Sequence, residues 1–175
     1  MLSNFTLLAT IAAVTAQALK VGVISDLHLN QAYNSLGGTD DNCVTEAANA
    51  VAAPLARFGC DPSEKMVTHM MQRFKDAFGD VDLILAPGDA VAHKVAPHHD
   101  EVESPDWDPV KMNLKESASI LTSYFPDTMV LWSVGNNDGW HSQAPDESQK
   151  DAFFQYAYDL WITGHPGNAS FASSV

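Results

Sequence analysis

Three short apolar runs, each ending in a polar turn rich in carboxylate, amide or imidazole side chains, constrain this chain more than any other feature. The runs are Val21-Gly22-Val23-Ile24, Val81-Asp82-Leu83-Ile84-Leu85 and Met129-Val130-Leu131-Trp132-Ser133-Val134. They are mostly β-branched or aliphatic and read as buried strands of an α/β sheet. The turns that follow are Ser25-Asp26-Leu27-His28, Pro87-Gly88-Asp89 and Val134-Gly135-Asn136-Asn137-Asp138. Polar groups leaving the carboxyl ends of neighbouring strands converge where an open α/β sheet gathers its site. Asp, His and Asn together suit divalent metal ions, so a metal-binding site is expected at these strand ends.

Between the runs the pattern changes period. Met66, Val67, Met70, Met71, Phe74, Ala77 and Phe78 recur at helical spacing, and their Met and Phe stripe reads as core rather than ligand surface. Asp61-Pro62-Ser63-Glu64 predicts the start of that helix, with Asp61 as N-cap. Residues 30–60 predict a long loop at the site, with a short helix near Val44 to Ala56. Residues 93–109 hold His93, His98, His99 and several prolines and predict a second loop, in which His98, His99 and Lys94 read as surface residues. Further helices are expected over 110–124 and over 146–162, the latter with Phe153, Phe154, Ala157, Leu160 and Trp161 on one apolar face. Strands alternating with helices mean parallel strands joined by right-handed crossovers.

Composition sets the class and the address. At 175 residues and 46% hydrophobic the chain suits one globular domain. Its formal charge of −13, with nine Lys and Arg, argues against a nucleic-acid partner. An anionic small substrate still fits, because bound metals invert the local field. Residues 1–18 read as a signal peptide, an apolar run closed by Ala16-Gln17-Ala18, and no segment is long and apolar enough to predict a membrane span. Export implies an oxidising compartment, where Cys43 and Cys60 could form a disulfide tying the first loop to the helix start, two free thiols being the alternative. Asn168-Ala169-Ser170 is a glycosylation acceptor sequence consistent with that address.

The three motifs in order, each after an expected strand, resemble the calcineurin-like metallophosphoesterase superfamily, with its D-x-H, G-D and G-N-H-[DE] signatures. Asp26 and His28 match the first, Gly88 and Asp89 the second, and Gly135, Asn136 and Asp138 the third, with Asn137 where that family usually has His. Within it the chain looks most like acid sphingomyelinase-like phosphodiesterases. Asp26-Leu27-His28-Leu29-Asn30 with Tyr33, Cys43 with Phe58-Gly59-Cys60-Asp61-Pro62, and His93 four residues after Asp89 carry that likeness, over about residues 19–165. The resemblance implies the N-terminal part of a four-layer α/β/β/α sandwich over residues 19–175. It implies two divalent metals, zinc being favoured and manganese or iron also suited. Asp89 would bridge the pair, Asp26 and His28 would hold the first ion, and Asn136 the second.

Hydrolysis of a phosphodiester, sphingomyelin-type or another small or lipid-headgroup substrate, is the activity this implies, in a secreted, lysosomal or vacuolar setting. Secretory polyphosphatases of the same superfamily are the nearest alternative, since Gly-Asn-Asn-Asp followed by His141 is similar to theirs. Asn137 cannot donate a proton as an imidazolium does, so His93 or His141 would serve as leaving-group acid, with His93 favoured by its spacing. The family also has a later His and a His-x-His pair. After Asp138 the chain offers His141 and His165 alone, so it reads as truncated before the distal metal-binding histidines. Isolated His165 reads as a loop or surface residue. A non-catalytic fragment binding at most one metal is the remaining alternative.

Overall fold

A computed structural model describes residues 18–95, 107–139 and 150–169. The expected signal peptide (but for Ala18), His98, His99, His141 and the first residues expected in the last helix lie outside them. The described residues form a mixed α/β structure on a three-stranded parallel sheet. Its strands are β1 (Val21–Val23), β2 (Leu83–Ala86) and β3 (Met129–Trp132), in the order β1-β2-β3. Val21, Gly22 and Val23 pair with Leu83, Ile84 and Leu85, which pair in turn with Met129, Val130 and Leu131. All three strands lie within or one residue beyond the apolar runs that predicted them.

Helix α1 (Glu64–Phe78) crosses from β1 to β2, and α2 (Asp108–Tyr124) crosses from β2 to β3. Both crossovers step the same way across the sheet, so right-handedness stacks both helices on one face. That face holds the core. Ile84, Val130, Val67, Leu121 and Phe125 are essentially inaccessible there. On the other face Val21, Val23 and Leu131 point outward, Val23 being 59% exposed. Parallel sheets are ordinarily covered on both sides, so this open face is unusual. Helix α3 (Lys150–Tyr158) runs on into a π-helical turn, Asp159–Thr163, which buries Trp161. Its indole stacks on Trp132, with ring centroids 5.3 Å apart.

Several local expectations need correction. The cap of α1 is Ser63, whose hydroxyl accepts from Met66 N, and Asp61 lies outside the helix. The α1 stripe is narrower than its sequence pattern: Val67 and Met71 are buried and Phe74 packs against them, but Met70 and Phe78 are exposed. On α3, Phe154 is likewise exposed. No helix forms at 44–56. Asp41 there accepts from Val44 N and Thr45 N, and Tyr33 Oη donates to Ala53 O, so side chains hold the backbone in turns.

Asn168 also differs from its sequence reading. It is fully buried, with Oδ1 accepting from Val130 N and Nδ2 donating to the carbonyls of Val130 and Trp161. This amide pairs with the β3 backbone as a neighbouring strand would. A glycan on Nδ2 is incompatible with that packing. His165 is buried too, its Nδ1 accepting from Gly167 N, and is not a surface residue.

Candidate metal site

Beyond β1 and β2 the chain continues as two side-by-side loops. Asp26 N donates to Gly88 O, His28 N to Asp89 O and Leu29 N to Ala90 O, at 3.2, 2.9 and 2.9 Å. Within these loops Asp26, His28 and Asp89 all adopt left-handed backbone, with φ of 56°, 42° and 54°. Non-glycine residues enter that region rarely and tend to do so at functional sites. Strand alternation therefore does not bring Asp26 and His28 together, since β1 ends at Val23; two left-handed turns do. Glycine is required on the facing side. A Cβ on Gly88 would collide with Gly135 N, and one on Gly135 with the backbone and carboxylate of Asp89.

The result is a compact donor cluster. Ligand atoms of Asp26, His28 and Asp89 lie within 4.8 Å of one another. His28 Nε2 is 3.8 Å from Asp26 Oδ1 and 4.0 Å from Asp89 Oδ2. His28 Nδ1 sits 3.2 Å from Val91 O, which only accepts, so in the neutral ring Nδ1 carries the proton and Nε2 has its lone pair for a metal. Two carboxylates and one such imidazole form a donor set that fits Zn, Mn or Fe. Asn136 is exposed in the third turn, between Gly135 and Asn137, whose N–H donates to Asp89 Oδ1 at 2.8 Å. The third motif thus reaches the second through Asp89 itself.

Asp138 organises these turns, a role its place in the motif did not reveal. It is fully buried and accepts from Asp89 N (2.8 Å), Gly135 N (2.9 Å) and Val91 N (3.0 Å). Burial pushes its carboxyl above the usual range, against the backbone donors, which favour the charged form. Asn137 is buried beside it.

His93 reaches the same place from the loop after β2. Its ring stacks on that of His28, centroids 4.3 Å apart and planes 19° from parallel. His28, Asp61 and His93 make a second group of closely spaced donors. Its Asp61 carboxylate accepts hydrogen bonds from Asn42 and from His93. His93 also lines a cleft of about 470 Å³ with Asn30, Gln31, Asn42, Lys94 and Met112. Lys94 Nζ donates to Asp40 O, which ties it to the first loop. Cys43 and Cys60 form a disulfide.

No family model matches the chain. It is 25% identical over 140 residues to the acid sphingomyelinase-like phosphodiesterase 3b of Mus musculus, an alignment covering 79% of this chain. The chain spans 29% of that relative's length. This supports a distant relationship. No helix among the described residues is long and apolar enough to cross a membrane.

Proposed function

We propose that this chain carries the N-terminal part of the catalytic centre of a metal-dependent phosphoesterase that hydrolyses phosphodiesters of the sphingomyelinase type. The observation that carries the reading is the cluster of Asp26, His28 and Asp89 on three left-handed residues at adjacent strand ends. Asp26 and His28 would hold one divalent ion, Asn136 a second, and Asp89 both. Bound there, the metals would supply Lewis acidity toward the phosphoryl oxygens and an acidified water.

The chain's own residues have the following tasks. His28, with Nδ1 tied to Val91 O, offers Nε2 in a fixed direction. Asp138 holds the Asp89 and Gly135 backbones and so sets where the Asp89 carboxylate points. His93, overhanging His28 on the cleft, would as the imidazolium give its Nε2 proton to the leaving oxygen and return to the neutral ring. His141 is the alternative donor if His93 is not the acid.

The open face of the sheet supports the larger architecture. In a four-layer α/β/β/α sandwich a second sheet would cover Val21, Val23 and Leu131. The disulfide supports a secreted or lysosomal lumen address. The test is hydrolysis of a generic aryl phosphodiester, expected to disappear on chelation and in Asp89→Ala. Turnover surviving both treatments would end the metal mechanism.

A further inference from the structure

Asp61 follows Cys60 and Asn42 precedes Cys43, so the disulfide joins the neighbours of both. The two residues also bond to each other twice. Asp61 N donates to Asn42 Oδ1 at 2.6 Å, and Asn42 Nδ2 donates to Asp61 Oδ2 at 2.8 Å. Asn30 Nδ2 secures the pair from below by donating to Asn42 O at 2.7 Å.

This locked pair grips one residue. Asp61 Oδ2 accepts from His93 N at 2.6 Å, and Asn42 Nδ2 lies 3.0 Å from His93 O. The Asp61 carboxylate oxygens stand 3.0 and 3.1 Å from His93 Nδ1. Asn42, Cys43 and Lys94 are all left-handed, with φ of 61°, 63° and 62°, so the grip is built on backbone that persists only where its surroundings enforce it. A histidine side chain 52% exposed does not need this anchoring to remain on the surface.

A carboxylate accepts and does not donate, so Nδ1 bears the ring proton and Nε2 is left for exchange. We propose that Asp61, locked by Asn42 and the disulfide, is a positioning residue that holds His93 in the Nδ1–H tautomer against His28. The use of Nε2 in the reaction rests on the proposed function; the tautomer does not. Free imidazole prefers the opposite tautomer, which makes the effect visible.

The experiment is 15N NMR of the imidazoles in the metal-free full chain at a pH where histidine is neutral, with His93 assigned by His93→Gln. The wild type is expected to show His93 as Nδ1–H. Asp61→Ala should return it to the Nε2–H form of free imidazole, and reduction of the disulfide should move it the same way. Nε2–H in the wild type overturns the proposal without any variant, so a misfolded Asp61→Ala leaves it testable. An Nδ1–H signal unchanged in a folded Asp61→Ala overturns it too. In enzyme that turns over, Asp61→Ala should lose about 10–100-fold, and little more when added to His93→Ala. Nδ1–H in a chain that hydrolyses no phosphoester would retain the positioning and refute the function. Hydrolysis with Nε2–H would do the reverse.

Discussion

Removing the Asp138 carboxylate is the sharpest structural test of how the site is held. Its oxygens accept three backbone N–H groups, two on Oδ2 from Asp89 and Gly135 and one on Oδ1 from Val91, in a fully buried position. In Asp138→Asn the amide can keep its oxygen where Oδ2 stood. That retains the bonds from Asp89 and Gly135 and turns an NH2 toward Val91 N. Val91 N and the new NH2, both buried donors, are then orphaned, at a cost of about 1–3 kcal/mol each. Asp138→Ala orphans all three, a ceiling of about 9 kcal/mol on the same scale. Relief of the carboxylate's own desolvation and entry of water offset part of this, so a loss of at least about 3 kcal/mol is expected. That is a large share of the roughly 5–15 kcal/mol that holds a typical domain together. Urea unfolding of metal-free protein at pH 7 measures both variants, and amide exchange at Asp89 and Val91 locates the damage. Loss of less than about 0.5 kcal/mol in Asp138→Ala, or an Ala variant no worse than Asn, would refute the assignment of Asp138 as organiser.

Other consequences follow from particular groups. Reducing Cys43–Cys60, separated by 17 residues, should lower stability by about 3 kcal/mol from loop closure, read as a shift in the urea midpoint; no shift contradicts it. Burial depresses the pKa of His165, whose Nδ1 must stay unprotonated to accept from Gly167 N. The folded state then binds fewer protons than the unfolded one. Its contribution is full above the unfolded value near 6.5 and is lost as pH falls through the folded value. The drop in urea midpoint from about pH 7.5 to 5.5 should therefore shrink in His165→Gln, and an unchanged drop contradicts this. For the chemistry, His93→Ala in active enzyme should lose about 10²–10⁴-fold with poor leaving groups and much less with nitrophenolate. Equal losses would make His93 a phosphate-binding or structural residue, and no loss would move the role to His141.

Features that depend on short stretches of chain were legible in the sequence. The three apolar runs became β1, β2 and β3 because aliphatic residues between polar turns have few alternatives to a buried strand. Helix α2 ends at Tyr124, as Pro126 foretold. Where several local solutions competed, tertiary contacts chose. Asp61 had the makings of an N-cap, yet Ser63 took that place and Asp61 turned to Asn42 and His93. The Ala-rich stretch after Cys43 had helical propensity, but Asp41, Tyr33 and the disulfide held it in turns. Least legible were the left-handed residues Asp26, His28 and Asp89 and the three N–H bonds to Asp138. They arise from contact between loops far apart in sequence, which no window along the chain can show. Asn168 illustrates the same point, since a glycosylation motif says nothing of a buried amide bonded to β3.

The central claim is that Asp26, His28 and Asp89 hold divalent metal for phosphoester hydrolysis. Equilibrium dialysis of the 175-residue chain with zinc or manganese, run beside an aryl phosphodiester assay on the same samples, tests it most directly. The account predicts stoichiometric metal binding that is abolished in Asp89→Ala, and no turnover in any sample without bound metal. Wild-type protein that binds no metal, or whose metal binding and turnover survive Asp89→Ala, would contradict it.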